Sequence, residues 1–456
     1  MTSRVRIFDA GGGKHFVCNA LTGEVAVMSD GELEILEALR TGDASSCPPS
    51  FLDGLRRRRF VFPDPEAERA FFSELCEGAW SDFRRHSPRH YTFIVNTHCN
   101  FACSYCFEAA YDAPTMTLSP PQVDAAFRVI DRYAARRPGE TPEIEVFGGE
   151  PLLPSSRPVL EHLFQRLAER GIRGSIQTNG WFLTTYLDFF VGHHEHIGQL
   201  QVTLDGPRQV HDGRRVPRDG RPSFDRIVAG IDALLAAGLP IRINIRMNVD
   251  RGNAAQLESM VRVYEEHGWL RDERVTFVAA PVDNRCGTLR REGGLLRWDE
   301  MFRRVFPLST DTGGGPFDLS VFKVAGYFRH YLQSAASGEE PQFLPKVIYC
   351  EAAALKLLAF HPDGRLYPCP ETVGMPHLAV GSYDPTLRID RRRARPWRSQ
   401  TILRRRRCGD CSISTFCGGG CVLTALMQNG TMAEPECENA GDILEAYFGE
   451  LGRAAR

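Results

Sequence analysis

From residue 89 to about residue 280 the chain alternates short apolar runs with longer stretches of helical period. The runs are YTFIVN (91–96), EIEVFGG (143–149), GSIQTNG (174–180), LQVTLDG (200–206), IRINIRMNV (241–249) and RVTFVAA (274–280). Between them, PPQVDAAFRVIDRYAARR, SRPVLEHLFQRLAERG and SFDRIVAGIDALLAAG carry apolar residues every three or four positions, as amphipathic helices do. Six strand–helix units in series predict an α/β domain, with a parallel sheet curled into a partial (β/α)6, TIM-like barrel. The polar and glycine-bearing ends of these runs then fall at the C-terminal strand ends, where such barrels collect their active sites.

The flanks read differently. In residues 1–88, KHFVCNALTGEVAVMS predicts two short strands joined at Thr22-Gly23. SDGELEILEALRTG predicts a helix capped by Ser29 or Asp30, with Ile35, Leu36 and Leu39 on one side and a stop at Gly42. SFLDGLRRRRFVF predicts a short helix running into a closing strand, so the whole is a small α+β, winged-helix-like unit, followed by a linker helix in DPEAERAFFSELCEGAWSDFRR. The barrel is expected over 89–305 and a connecting segment with a DTGGGP loop over 306–345. A cysteine-rich domain is expected over 346–456, closed by a terminal helix in NAGDILEAYFGELGRAA.

Composition narrows the function classes. A chain of 456 residues suits two or three domains, and 43% apolar with 25% charged residues is ordinary for a globular protein. The net charge of −2 gives no overall pull toward nucleic acid or membrane. MTSRVRIFDAGGGKHF has no signal-peptide core, and no run of about 18 apolar residues could span a bilayer, so a cytoplasmic location is expected. The arginine runs at 56–59, 390–398 and 403–407 lack interleaved aromatics; they read as solvated faces able to attract an acidic peptide rather than nucleic acid.

The cysteines carry the chemistry. Of 14, ten fall in two clusters, whereas Cys18, Cys47, Cys76 and Cys286 are scattered. In a reducing compartment, close spacing favours metal ligands over disulfides. Cys99, Cys103 and Cys106 follow the first strand with three and then two residues between them. Three thiolates can hold three irons of a four-iron cubane and leave the fourth open, as catalysis needs; the alternatives are a zinc site completed by His98 or by a distant group, or three unrelated thiols. After the second strand comes Gly148-Gly149-Glu150-Pro151, whose glycines would allow close backbone approach to a ligand and whose carboxylate could accept from an ammonium group.

Together these two motifs resemble the radical SAM superfamily. The resemblance implies a [4Fe-4S] cluster on Cys99, Cys103 and Cys106, whose open iron is chelated by S-adenosylmethionine. It implies Tyr105 and Phe107 beside the adenine and Gly148, Gly149 and Glu150 at the methionine amino end. Asn179 and Arg215 would meet the ribose and carboxylate, with Asn248 on the next strand as a further candidate. The second cluster of cysteines resembles the SPASM extension of these enzymes, which binds two auxiliary [4Fe-4S] clusters, making three. Cys408, Cys411, Cys417 and Cys437 would ligate one, and Cys350, Cys369 and Cys421 the other. That second set is one thiol short: its fourth iron is open, or a remote residue such as Cys286 completes it. Zinc knuckles are the alternative for these seven.

SPASM enzymes act on peptides and proteins. In the subgroup that converts a sulfatase Ser or Cys to formylglycine, an aspartate follows the cysteine equivalent to Cys369; here Pro370 and Glu371 follow, and Glu371 is the candidate general base. The N-terminal unit is similar to leader-peptide recognition domains, which take a leader as an added strand. The expectation is a ribosomal-peptide maturase that forms an oxidative thioether or carbon–carbon cross-link. Its partners would be a precursor peptide with leader and an electron donor such as flavodoxin or ferredoxin. The alternatives are formylglycine formation, maturation of a peptide-derived redox cofactor, and a non-enzymatic iron–sulfur or zinc scaffold.

Overall fold

The computed structural model describes residues 2–85, 88–108, 114–136, 138–287, 294–336, 343–437 and 440–454. The chain begins with three antiparallel strands in the order β1 (Val5–Gly11), β2 (Lys14–Asn19) and β3 (Val25–Ser29). Only β2 and β3 were expected. Strand β1 shows no clean alternation because both of its faces are covered: Val5 and Ile7 pack on a small core of Val17, Ala26, Met28, Leu36, Leu55 and Phe60, while Phe8 faces the main core. Ser29 caps the helix Asp30–Arg40 through a reciprocal box with Glu32.

The closing strand predicted at Phe60–Phe62 does not form. Arg59 takes a left-handed φ of 61° at the end of the helix Pro49–Arg57, and the Phe60 N–H turns back to the Leu55 carbonyl at 2.9 Å. The helix end thus uses the donor that a ladder would need, and Phe60 plugs the small core instead. Among the described residues no strand stands between the helix Pro49–Arg57 and the helix Pro65–Arg85.

All six strands predicted for the barrel are present and parallel, ordered β4 (His90–Ile94), β5 (Glu143–Phe147), β6 (Gly174–Thr178), β7 (Ile197–Thr203), β8 (Arg242–Val249) and β9 (Val275–Pro281). One face of the sheet is apolar, with Ile144, Val146, Ile176, Leu200, Val202, Ile243 and Ile245 buried in the main core with helix residues such as Phe127, Leu163 and Ile231. Alternation puts hydrogen-bonding residues on the other face. There Thr92 donates to Glu145 (3.1 Å), Gln177 donates to Glu145, Gln201 to Gln177 (3.0 Å) and Asn244 to Thr276 (2.9 Å).

The sheet does not stop at β4. Strand β10 (Leu357–Phe360) runs parallel to β4 on its free side, and antiparallel β11 (Arg365–Tyr367), β12 (Gly381–Ser382) and β13 (Arg388–Ile389) extend it to ten strands. The cysteine-rich region is therefore built into the barrel sheet. The N-terminal sheet packs against the same region: Phe8 stacks on Phe448 of the helix Ala440–Ala454 at 4.6 Å, and Arg4 donates to the carbonyls of Gly409 and, at 2.9 Å, Cys411. Among the described residues no helix is long and apolar enough to cross a membrane.

Candidate active site

The cysteine loop leaves β4 and is held by the turn that leaves β5. Gly149 N–H donates to the Asn96 carbonyl at 3.1 Å and Glu150 N–H to the His98 carbonyl at 3.0 Å. A Cβ on Gly148, whose φ is 139°, would collide with the Asn96 carbonyl oxygen, and one on Gly149 with the His98 carbonyl oxygen. Part of the close approach these glycines allow is to the backbone of the cysteine loop. The Asn96 amide, a residue sequence reasoning passed over, completes the clamp by donating to the Glu150 carbonyl (2.7 Å) and to Ser156 Oγ (2.8 Å).

Glu150 is fully buried. Its carboxylate accepts from Leu152 N–H (2.9 Å), Thr178 Oγ (2.6 Å) and Asn179 N–H (2.7 Å). Burial pushes its carboxyl up, opposed by these donors and by the charge of Arg215. Two oxygens offer about four acceptor positions, so one remains for a cationic donor. Asn179 in turn reaches the cysteine loop, with Nδ2 at 2.9 Å from Asn100 Oδ1 and 3.6 Å from Cys99 Sγ.

On the far side of the loop the Tyr105 hydroxyl is the hub of a buried network. It donates to Asp205, accepts from Arg215 Nη1 at 2.6 Å, and lies 3.3 Å from Asn248 Nδ2. Asp205 also accepts the Asn248 N–H at 2.8 Å and is 3.8 Å from Arg215. Asp205 was within the TLDG segment but not singled out; its place at the end of β7, level with Asn248, is the signal that could have found it. Phe107 stands apart, stacked on Phe147 at 6.4 Å. Cys99, Cys103, Tyr105, Glu150, Asn179, Arg215 and Asn248 thus gather at the C-terminal ends of β4–β8, with Cys106 one turn beyond Cys103, whose carbonyl its N–H meets at 3.2 Å.

The downstream cysteines sort into two groups. Cys408, Cys411, Cys417 and Cys437 lie close enough for their charges to act on one another. Cys350, Cys369 and Cys421 do likewise. Cys286 is buried, and its Sγ lies 3.4 Å from the Glu371 carbonyl, two residues beyond Cys369. Glu371 itself is not on an outer loop: Arg285 approaches it at 3.4 Å, and the charges of Asp283, Arg246 of β8 and Lys323 act on it. Burial pushes its carboxyl up and Arg285 opposes the rise.

Burial pushes Cys99 and Cys408 up to about 12 and Cys417 and Cys421 up to about 11, and raises Cys103, Cys369 and Cys437 as well. Such thiols stay protonated at neutral pH until a metal displaces the proton. Among the described residues no three His, Cys, Asp or Glu side chains converge as the ligands of a single ion would.

Residues 93–262, from within β4 to the helix after β8, match the Radical SAM superfamily. The serine-type anaerobic sulfatase-maturating enzyme of Klebsiella aerogenes is 27% identical over 343 residues, covering 72% of this chain and 78% of that protein. Two solved structures share the fold. Native anSMEcpe with bound AdoMet has a TM-score of 0.59 at 16% identity, covering 80% of this chain and 99% of its own. Streptococcus suis SuiB bound to precursor peptide SuiA has a TM-score of 0.56 at 14% identity, covering 95% and 98%. The superfamily match lies on the same strand ends that gather the cysteine loop, Glu150 and the Tyr105 network, and residues 93–262 are accordingly a radical SAM domain.

Proposed function

We propose that the protein is a peptide maturase that binds three [4Fe-4S] clusters and installs an oxidative cross-link in a ribosomally made precursor. Cys99, Cys103 and Cys106 would hold the catalytic cluster, with Glu150 accepting the ammonium group of S-adenosylmethionine in its remaining acceptor position. When bound, cluster and cosubstrate supply a 5′-deoxyadenosyl radical that takes one hydrogen atom from the peptide. The carbon radical left behind must lose one electron and, as the new bond closes, one proton. The reading is carried by one juxtaposition: the turn bearing Cys369 and Glu371 faces Arg246 of β8, so a proton acceptor and the thiols of an auxiliary cluster border the same space over the barrel. Glu371 is placed to take the proton, and a cluster held by Cys350, Cys369 and Cys421 would supply the electron acceptor. Flavodoxin or ferredoxin would supply the initiating electron.

Residues 346–456 then act as the SPASM extension, with Cys286 as fourth ligand beside Cys350, Cys369 and Cys421; its nearness to the Cys369 turn supports that assignment. With Cys286 as that ligand, the cluster would have no open iron for a substrate thiolate and would supply electron transfer. The N-terminal sheet is the leader site. Its β1 edge is covered by the terminal helix, whereas β3 has no further strand beside it among the described residues and exposes Val27 by 58%. SuiB, crystallised with its precursor peptide, overlaps 95% of the chain against 80% for anSMEcpe, which favours this reading. Formylglycine formation is the second reading, favoured by the Klebsiella relative.

Co-expression with a short reading frame found beside the gene, followed by mass spectrometry of the peptide, tests the proposal. Loss of two hydrogens with no reactivity toward a hydrazine probe is the cross-link. The same loss with hydrazone formation is the aldehyde of a formylglycine made from serine, and an unchanged peptide mass contradicts both.

A further inference from the structure

The two groups of auxiliary cysteines are joined by Gly418-Gly419-Gly420, which links Cys417 of one to Cys421 of the other. All three glycines are left-handed in succession, with φ of 75°, 89° and 77°, a path side chains rarely adopt. Against this bridge lies Arg405, only 4% exposed. Its Nη1 donates to the Gly420 carbonyl at 2.8 Å and its Nη2 to the Glu434 carbonyl at 2.9 Å, whereas Nε has no partner among the described residues. A Cβ on Gly419 would stand 3.1 Å from Arg405 Cδ, 3.3 Å from its Nη1 and 3.5 Å from Cys408 Sγ, so guanidinium and thiol flank the same point of the bridge. Its charge acts on Cys408 and Cys417 of one group and on Cys421 of the other.

The charges of Cys408, Cys417 and Cys421 act on Arg405 ahead of that of Glu436. Burying a guanidinium is costly unless anions lie near it. A thiolate-bound iron–sulfur cluster is an anion that becomes more negative by one charge on reduction, and nearby charge is one of the levers on its potential. A fixed cation between two such anions stabilises the reduced form of each more than the oxidised form.

We propose that Arg405 is the shared counter-ion of the two auxiliary clusters, a positioning residue that raises both reduction potentials so that each can accept the electron left on the peptide. This rests on the reading that the seven downstream cysteines hold two clusters. The test uses the full chain, reconstituted anaerobically, with Cys99, Cys103 and Cys106 replaced by Ala so that only auxiliary signals remain. Iron and sulfide are counted, and the reduced signals are followed by electron paramagnetic resonance during a redox titration.

Absence of auxiliary iron and signals in this parent would refute the two-cluster reading itself. With both clusters present, Arg405→Gln is expected to keep the iron and lower both midpoints, the reduced-to-oxidised ratio at a fixed potential falling about tenfold (about 59 mV for one electron). Arg405→Lys, which keeps the charge, is expected to stay close to the parent. Unchanged midpoints in Arg405→Gln overturn the proposal, as do equal shifts in both variants, which would assign the effect to the hydrogen bonds. Loss of auxiliary iron from a folded Arg405→Gln also overturns it, leaving the residue a brace. If Arg405→Gln does not fold, Arg405→Met decides: lowered midpoints beside parental ones in Arg405→Lys support the counter-ion, and parental midpoints in Arg405→Met exclude it.

Discussion

At the scale of single residues, Glu150 concentrates the consequences. A fully buried carboxylate with three donors and one open position is set for a cation. Its folded value lies above the ordinary value of about 4.3. A bound ammonium favours the charged form, so the value falls when the cosubstrate binds. Affinity for S-adenosylmethionine should therefore rise with pH between the lower value of the complex and the higher value of the free enzyme, and level off above it. Glu150→Gln should weaken binding by about 1.5–3 kcal/mol, the worth of a charged hydrogen bond, and flatten the pH profile; calorimetric titration reads both. A profile that keeps its slope in the variant would remove Glu150 from this role. Cys286→Ala makes a second test at this scale. It should leave the auxiliary iron largely in place and change the paramagnetic signal of one auxiliary cluster toward that of an open site. An identical signal would exclude Cys286 as a ligand.

Among elements, the turn after β5 and the loop after β4 work as one part. Gly149→Ala drives a methyl into the His98 carbonyl, a local cost of about 1–3 kcal/mol. The variant should lose the iron of the first cluster while the auxiliary iron stays, as iron counting against the Cys103→Ala variant would reveal; full retention would contradict the clamp. Sequence reading located the six barrel strands because each is an apolar run long enough to carry a period between two turn signals. Strands β10–β13 escaped it because they are two to four residues long and β10 pairs with β4, more than 260 positions earlier. The Asp363-Gly364 turn between LLAF and RLY was the available hairpin signal. The cysteine motifs were legible because thiol spacing is local in the chain. Asp205 and Arg405 were not, since their importance comes from partners brought near only by folding.

For the whole molecule, the two ends of the chain close on the auxiliary region together. Arg4, 4% exposed, holds the Cys408–Cys411 loop from the N-terminal sheet and lies 3.5 Å over the Phe72 ring. Arg4→Ala leaves two carbonyls without their donor and should cost about 2–4 kcal/mol. The expected result is a lower thermal midpoint and faster loss of auxiliary iron to a chelator, with the first cluster released at the parental rate; equal release from all sites would argue that the N-terminal sheet does not brace this loop. The ten-stranded sheet, which runs from the barrel into the cysteine-rich region, likewise joins the cysteine loop after β4 to the turn bearing Cys369 within one sheet. The most direct test of the account is the product of the first step. Anaerobically reconstituted enzyme given dithionite and S-adenosylmethionine should release 5′-deoxyadenosine, and Cys103→Ala should release none while retaining auxiliary iron. Failure of the reconstituted wild-type enzyme, with its iron in place, to form 5′-deoxyadenosine would contradict it.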